Sequence, residues 1–320
     1  MIINQPKAGD MPRMIELLRS SLGESLMPKS EAFFIWKHEQ NPFGPSKILL
    51  AREEGLIIGL RAFMQWDWIS GDKKIKAVRA VDTATDPAHQ GKGIFRKLTL
   101  QAVDECKAEG VSLVYNTPNP ISMAGYLKMG WQQAGRMPIL IGPGSIFPRF
   151  YREEEVASML LRYPVDRAIG HLRDHAFHAG KDQWHTPLSH AYLHWRYHTC
   201  PVVKYGAVSE AGRYGFVFRL KRLNRFYELR ICEAWTESTD KQAPGDARRA
   251  LRQLIGAIRP LMVTCAPSPD FMQGDVKPGW LLGPVRKGPM VTIRPLAMDN
   301  LTTFDQFSQW QPSMGTMELF

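Results

Sequence analysis

The sequence predicts an α+β fold built as two related halves. Three observations lead there. The chain has 320 residues, beyond the size at which one hydrophobic core usually suffices. Residues 77–131 read in turn as strand, glycine turn, helix, strand and helix. Several stretches of the first half also return, in order, in the second.

Taken along the chain, Met11 to Leu22 reads as a helix with Met14, Leu17, Leu18 and Ser21 on one face, Asp10 as its cap and Pro12 at its start. Ser30 to Glu39 is a second helix carrying Phe33, Phe34 and Trp36, which the chain leaves through Asn41-Pro42-Phe43-Gly44-Pro45. Lys47 to Arg52 and Leu56 to Trp66 are strands about a turn at Glu54-Gly55, and Ser70-Gly71-Asp72 is the next turn. The apolar run Ala77 to Thr83 is the core strand. After Pro87, Gly91 and Gly93, the residues Ile94, Leu98, Ala102 and Val103 recur at helical spacing up to a stop at Gly110. A strand from Val111 to Tyr115 and a helix ending at Gly130 follow, and residues 132–142 hold one or two more strands. Gly142-Pro143-Gly144-Ser145 breaks the pattern, which divides the chain into domains 1–145 and 146–320.

The second half opens with a helix or helix pair from Glu153 to Leu172, interrupted near Pro164. Ser189 to Arg196 repeats the pattern of Ser30 to Lys37, and each stretch then reaches a proline at the same distance, Pro42 and Pro201. Ala211-Gly212 answers Glu54-Gly55. Leu113 to Pro118 matches Met262 to Pro267, and Gly130-Trp131 falls on Gly279-Trp280 at the same offset. Where the first half has Gln90-Gly91-Lys92-Gly93, the second has Asp240 to Gly245 before a helix from Asp246 to Ile258. That second turn has one glycine, a proline and an acidic residue, which makes it a poor phosphate cradle.

Composition narrows the function classes. Apolar residues make up 44% and charged residues 22% of the chain, ordinary values for a globular protein. No stretch approaches the length and apolarity of a membrane span, and the first residues lack a secretory pattern, so cytoplasm is the expected location. The formal charge of +10 makes nucleic acid a candidate partner, but the basic residues are scattered and form no arm. A phosphate-rich cofactor or an anionic substrate accounts for the charge equally well. Cys106, Cys200, Cys232 and Cys265 form no C-x-x-C pair and read as small buried residues. His171, His175 and His178 share a helical spacing, with His185 beyond, but no cysteine or nearby glutamate completes a shell, so no metal is expected.

The glycine turn is the chemical feature. Glycines ahead of a helix leave backbone N–H groups free to meet an anion, and the helix dipole favours negative charge there. Two further residue patterns stand beside it. Asp86-Pro87 precedes the turn, and Asn119, Ser122, Tyr126, Gly130 and Trp131 follow the next strand. Together these resemble the central motif region of the GNAT superfamily of N-acetyltransferases, whose diphosphate loop runs Arg/Gln, two residues, Gly, one residue, Gly/Ala. Gln90 to Phe95 occupy that loop, with Phe95 where a small residue is usual. The match covers about fifty-five residues directly, and the second half resembles a degenerate copy, as in tandem members.

The resemblance implies two tandem GNAT-like domains, each a mixed, mostly antiparallel sheet flanked by helices, with a splayed parallel strand pair at the cofactor site. It implies acetyl-CoA, or another acyl-CoA, and transfer of the acyl group to a primary amine of a small molecule, amino sugar or peptide by direct attack. Gln90, Gly91, Lys92, Gly93, Ile94 and Phe95 would bind the diphosphate, and Thr83, Ala84 and Thr85 the pantetheine arm. Tyr126 would protonate the leaving thiolate, or be an ordinary half-buried tyrosine. Asn119 and Ser122 would touch the cofactor, or Asn119 would cap its helix. Asp82 is the first candidate base, unless strand alternation turns it away. Asp67 is the second, and the chain end Glu318-Leu319-Phe320 a third. Trp66 and Trp68 share a strand face and could line an acceptor pocket, whereas Trp36 reads as core. The competing reading is a non-catalytic acyl-CoA-binding or carbohydrate-binding protein, and assembly into a homo-oligomer stays open.

Overall fold

Two sheets organise the computed structural model, which describes residues 1–23, 27–172, 183–236, 240–267, 282–285, 287–296, 304 and 306–317. The first half runs β1 (Ile2–Asn4), α1 (Met11–Leu22), α2 (Glu31–His38), β2 (Lys47–Glu53), β3 (Leu56–Ser70), β4 (Lys73–Thr85), α3 (Ile94–Ala108), β5 (Leu113–Asn116), α4 (Pro120–Lys128), β6 (Gln132–Arg136) and β7 (Ile139–Pro143). Ser30 caps α2 by accepting from the Phe33 N–H. Asp10 does not cap α1 with its side chain, contrary to expectation; its carboxylate takes the Lys7 N–H and the Arg52 guanidinium instead. Glu54 and Gly55 take positive φ, and so does Gly71, which gives the tight links of the β2–β3–β4 meander.

The second half runs α5 (Glu153–Leu160), α6 (Val165–Gly170), α7 (His190–Leu193, continued by a wider turn to His198), β8 (Gly206–Glu210), β9 (Tyr214–Leu223), β10 (Phe226–Thr236), α8 (Ala243–Ile258), β11 (Met262–Cys265), β12 (Leu282–Val285), β13 (Met290–Pro295) and α9 (Met314–Met317). Pro164 separates α5 from α6, as its missing N–H requires. Gly279-Trp280, His175 and His178 lie outside the described residues.

The first sheet has the order β1-β2-β3-β4-β5-β13-β6 and the second β12-β7-β11-β10-β9-β8. Each contains one parallel pair, β4 with β5 and β10 with β11, among antiparallel neighbours. Local periodicity gave no sign of how the halves are joined. β7 leaves the first half to pair with β11, while β13 comes from near the chain end to fill the place between β5 and β6. Each sheet is therefore completed by a strand from the other half, and removing either would expose two unpaired edges.

The core between the sheets is aromatic. Trp36 and Trp195 stack at 4.9 Å, and each indole N–H donates to the other residue's backbone carbonyl, at 2.8 and 2.7 Å. Ser189 caps α7 through the Tyr192 N–H, as Ser30 caps α2, so the repeated stretches meet face to face. Trp66 and Trp68 are core residues. Trp66 is 1% exposed and donates to Thr186, and Trp68 is fully buried against Tyr115 and Trp310.

Candidate active site

The parallel pairing of β4 and β5 starts at Ala77 with Leu113 and stops at Arg79 with Tyr115. β4 nevertheless continues to Thr85. A register shift against β3, between Arg61 and Phe63, marks the point where the strands part. Beyond it Thr83, Ala84 and Thr85 pair with Arg61, Leu60 and Gly59 of β3, and among the described residues no strand pairs with their other edge. The Thr85 carbonyl accepts from Ser21 and Gln90 side chains.

At the end of β4 the Asp86 carboxylate accepts from the Ala88 N–H and closes a single 3-10 turn. Gly91 and Gly93 follow with φ of 77° and 73°. Gly93 is the N-cap of α3 and supplies no side chain to it. A Cβ at either glycine would meet nothing within 4 Å, and Gly91, Lys92 and Gly93 are exposed. Among the described residues no acceptor takes the N–H groups of Gly91 to Phe95. These free donors sit at the positive end of a helix of 15 residues, an arrangement that attracts anions. Phe95 turns its ring sideways onto α4, edge-on to Tyr126 at 5.5 Å and against Gly125, where a Cβ would come within 3.2 Å of it.

Asn119 is the N-cap of α4. Its side-chain oxygen accepts from the Ser122 N–H at 2.8 Å and the Ser122 hydroxyl at 2.9 Å, so these two residues satisfy each other. Tyr126 is 3% exposed, its ring packed against Phe95 and Trp131. Its hydroxyl has no hydrogen-bond partner among the described residues.

Asp82 sits on the face of β4 that meets α2. Lys37 donates to both its oxygens, at 3.0 and 2.9 Å, and His38 donates through Nε2 at 2.9 Å. Burial acts to raise the Asp82 pKa, but the Lys37 charge and the His38 hydrogen bond outweigh it and hold the carboxyl far below its usual range. Burial in turn lowers the His38 pKa, which keeps the imidazole neutral with Nδ1 free to accept from the Ser46 hydroxyl at 2.9 Å. A carboxylate this well satisfied takes up protons poorly, so its geometry is that of an anchor between β4 and α2 rather than of a base. Asp67 is paired with Lys74 at 2.7 Å.

Where the strands part, the buried Arg79 guanidinium donates to the carbonyls of Thr316 and Met317 and to the Thr117 hydroxyl at 3.0 Å. This docks α9 against the first sheet; residues 318–320 lie outside the described residues. A cleft of about 830 Å³ runs past α9 between the halves. Met27, Met137, Met314 and Met317 are in its lining, beside the charged Glu153, Lys204, Arg219, Lys221, Arg222 and Arg230. Burial raises the Cys106 and Cys265 thiols to about 12, which leaves both poor nucleophiles.

Sequence reasoning passed over Lys37, His38, Arg61 and Arg79. Arg61 and Arg79 carried a readable signal, since each interrupts an apolar strand run and a buried charge needs a partner. Lys37 and His38 carried none, because their partner is 44 or more residues away.

Residues 3–134 match the family model of an acetyltransferase (GNAT) domain. Among solved structures, a GCN5-related N-acetyltransferase from Anabaena variabilis is 13% identical with a TM-score of 0.63, over 92% of this chain and 73% of that one. A GCN5-related N-acetyltransferase from Kribbella flavida is 12% identical with a TM-score of 0.59, over 92% and 72%. Eis1 from Mycobacterium abscessus is 12% identical with a TM-score of 0.58, over 92% and 74%. At this identity the likeness is one of fold. A search of curated protein sequences returns no match.

Proposed function

We propose, from the premise that residues 3–134 form a GNAT-type acetyltransferase domain, that the chain is an acyl-CoA-dependent N-acyltransferase. The observation that carries this is the pair of open features at the end of β4. Its unpaired edge at Thr83 to Thr85 lies directly before a glycine turn whose N–H groups have no acceptor among the described residues. The two suit the two parts of one ligand, an amide-bearing arm and a diphosphate. When bound, acyl-CoA supplies an acyl group activated as a thioester. Gln90 to Phe95 hold the diphosphate and the edge of β4 orients the arm. Tyr126, with its hydroxyl uncommitted, donates the proton that the leaving thiolate takes up. Asn119 and Ser122 act at one remove, by fixing the start of α4. Asp82 anchors β4 and leaves the proton of the incoming ammonium to another group.

The cleft beside α9 is our assignment for the acceptor amine, and its methionines suit an adaptable apolar body. We read the halves as tandem copies dividing near residue 145 that have exchanged β7 and β13, the second copy being non-catalytic. No helix among the described residues is long and apolar enough to cross a membrane, and we place the activity in the cytoplasm with acetyl-CoA as the first donor to try. The Asp82 triad favours one competing reading, binding of acyl-CoA without turnover. Calorimetry with acetyl-CoA, then an amine panel read by release of free CoA thiol, separates the two. Binding with thiol release supports transfer, binding without release supports the competing reading, and absence of binding removes both.

A further inference from the structure

Arg61 interrupts an apolar run of β3, on the face that α3 covers. The residue is 0% exposed. Its guanidinium lies 4.8 Å from the Phe63 ring centre, 5.7 Å from Phe95 and 5.4 Å from Tyr126. None of its three nitrogens has a hydrogen-bond partner among the described residues. An arginine is charged at any pH a folded protein tolerates, and an unpaired charge in the interior is strongly destabilising. The rings attract the cation but accept none of its five N–H donors in a planar fork.

The position of this unpaired cation says what could pair with it. Phe95 is the second residue of α3, Tyr126 lies on α4, and Thr83, the β4 partner of Arg61, stands on the unpaired edge. The guanidinium therefore lies beneath the head of α3, where α3, α4 and that edge converge. We infer that Arg61 is an internal anion site of the acyl-CoA pocket, binding anionic oxygens that the acyl-CoA carries. This rests on the acyl-CoA reading above. The oxygens belong either to the diphosphate or to a carboxylate at the far end of the acyl chain, as in a succinyl thioester. The exposed turn already offers N–H donors to a diphosphate, so the depth of Arg61 favours the carboxylate.

The test measures CoA, acetyl-CoA and succinyl-CoA binding by calorimetry, and thermal unfolding without ligand, for the wild type and Arg61→Met. The methionine variant is expected to melt at a higher temperature than the wild type, because it removes a buried unpaired charge. It is also expected to bind the relevant ligand at least about tenfold more weakly, as loss of a charge-assisted fork of hydrogen bonds predicts. A loss confined to succinyl-CoA assigns the acyl carboxylate, and an equal loss for all three assigns the diphosphate. Wild-type affinity for all three ligands in the variant overturns the inference, whatever its melting temperature. If Arg61→Met does not fold, Arg61→Gln is read in the same way. A wild type that binds no CoA species removes the acyl-CoA reading and this inference together, whereas a wild type that binds and a variant that matches it remove this inference alone.

Discussion

The two halves place a carboxylate at the same point of the same strand and treat it in opposite ways. Arg79 faces Tyr115 across the parallel pair of the first sheet, and Arg230 faces Thr264 across that of the second. Three residues further on stand Asp82 and Glu233. Asp82 is met by Lys37 and His38 of α2, and the residues at those positions in the repeat are Arg196 and Tyr197. Arg196, though, turns to the Tyr205 hydroxyl and the Gly315 carbonyl. Glu233 is left with the hydroxyls of Tyr192, Tyr197 and Ser313, all donating to one oxygen. Burial raises its pKa to about 7, against those hydrogen bonds. The helix starts differ in the opposite sense. The N-terminus of α3 is open, whereas Asp240 accepts from the Gln242 and Ala243 N–H groups at the start of α8 and is itself held by Arg213. At its helix start the second half fills from its own side chains what the first half leaves open.

The contrast breaks most visibly at the two carboxylates. Asp82→Asn strands the Lys37 charge in a buried site and is expected to cost about 3–5 kcal/mol in urea unfolding at neutral pH. Glu233→Gln keeps the shape and exchanges one set of hydrogen bonds for another, so a cost of about 1 kcal/mol or less is expected below the unfolded pKa of 4.5, and at neutral pH, where the wild type has lost the stability of its buried proton, the variant is expected to be no less stable than the wild type. The pH dependences run in opposite directions. The folded state raises Glu233 from 4.5 to about 7, so it holds the proton there more tightly than the unfolded chain does. Stability from this group is greatest below the unfolded value and falls as pH rises, by about 3 kcal/mol by neutrality, after which it is flat. The folded state lowers Asp82, so its contribution is intact above the unfolded value of 3.8 and is lost as pH falls below it. Glu233→Gln should flatten the first slope and Asp82→Asn the second. Equal costs at neutral pH, or unchanged slopes, would mean that the two carboxylates are not opposites.

How much of this was legible follows from what each feature depends on. Elements with their own periodicity and punctuation were readable: α1 spans the expected Met11–Leu22, and Glu54-Gly55 and Ser70-Gly71-Asp72 turn the meander where expected. The glycine turn was readable because the conformation of Gly91 and Gly93 is a local property. The exchange of β7 and β13 was not, since pairing Arg294 with Val114 is a contact between distant residues that no local pattern encodes. Asp82 shows the same limit within the site. Its place on the strand was foreseen, but its role depends on partners that only the folded chain brings near.

The helix starts give the next test. Gly93→Asp would put a carboxylate at the N-cap of α3, so that this helix start too carries an acceptor of its own, as α8 does in Asp240 two residues ahead of its N-cap Gln242. Aspartate tolerates the left-handed φ of 73° at a cost of about 1 kcal/mol, and capping with the helix dipole returns about as much. The melting temperature should therefore hold. Acyl-CoA affinity should fall about a hundredfold, or about 3 kcal/mol, since the new anion competes for the same N–H groups and repels the ligand. Undiminished affinity by calorimetry would show that the turn is not where the phosphates bind.

The smallest expected effect concerns Tyr126 and separates packing from chemistry. Its ring is fixed by Phe95 and Trp131, and Tyr126→Phe keeps those contacts while removing only the uncommitted hydroxyl. A thiol is a better acid than an amine or alcohol, so its thiolate leaves without much help and a proton donor gains less here than in most acid catalysis. A fall in kcat of about tenfold is expected, with KM for the acyl-CoA unchanged, because the hydroxyl would act only as the bond to sulfur breaks. A rise in KM at constant kcat would make Tyr126 a binding residue. No change in either would leave it as the ring that supports Phe95, and proton delivery to the thiolate would then fall to solvent.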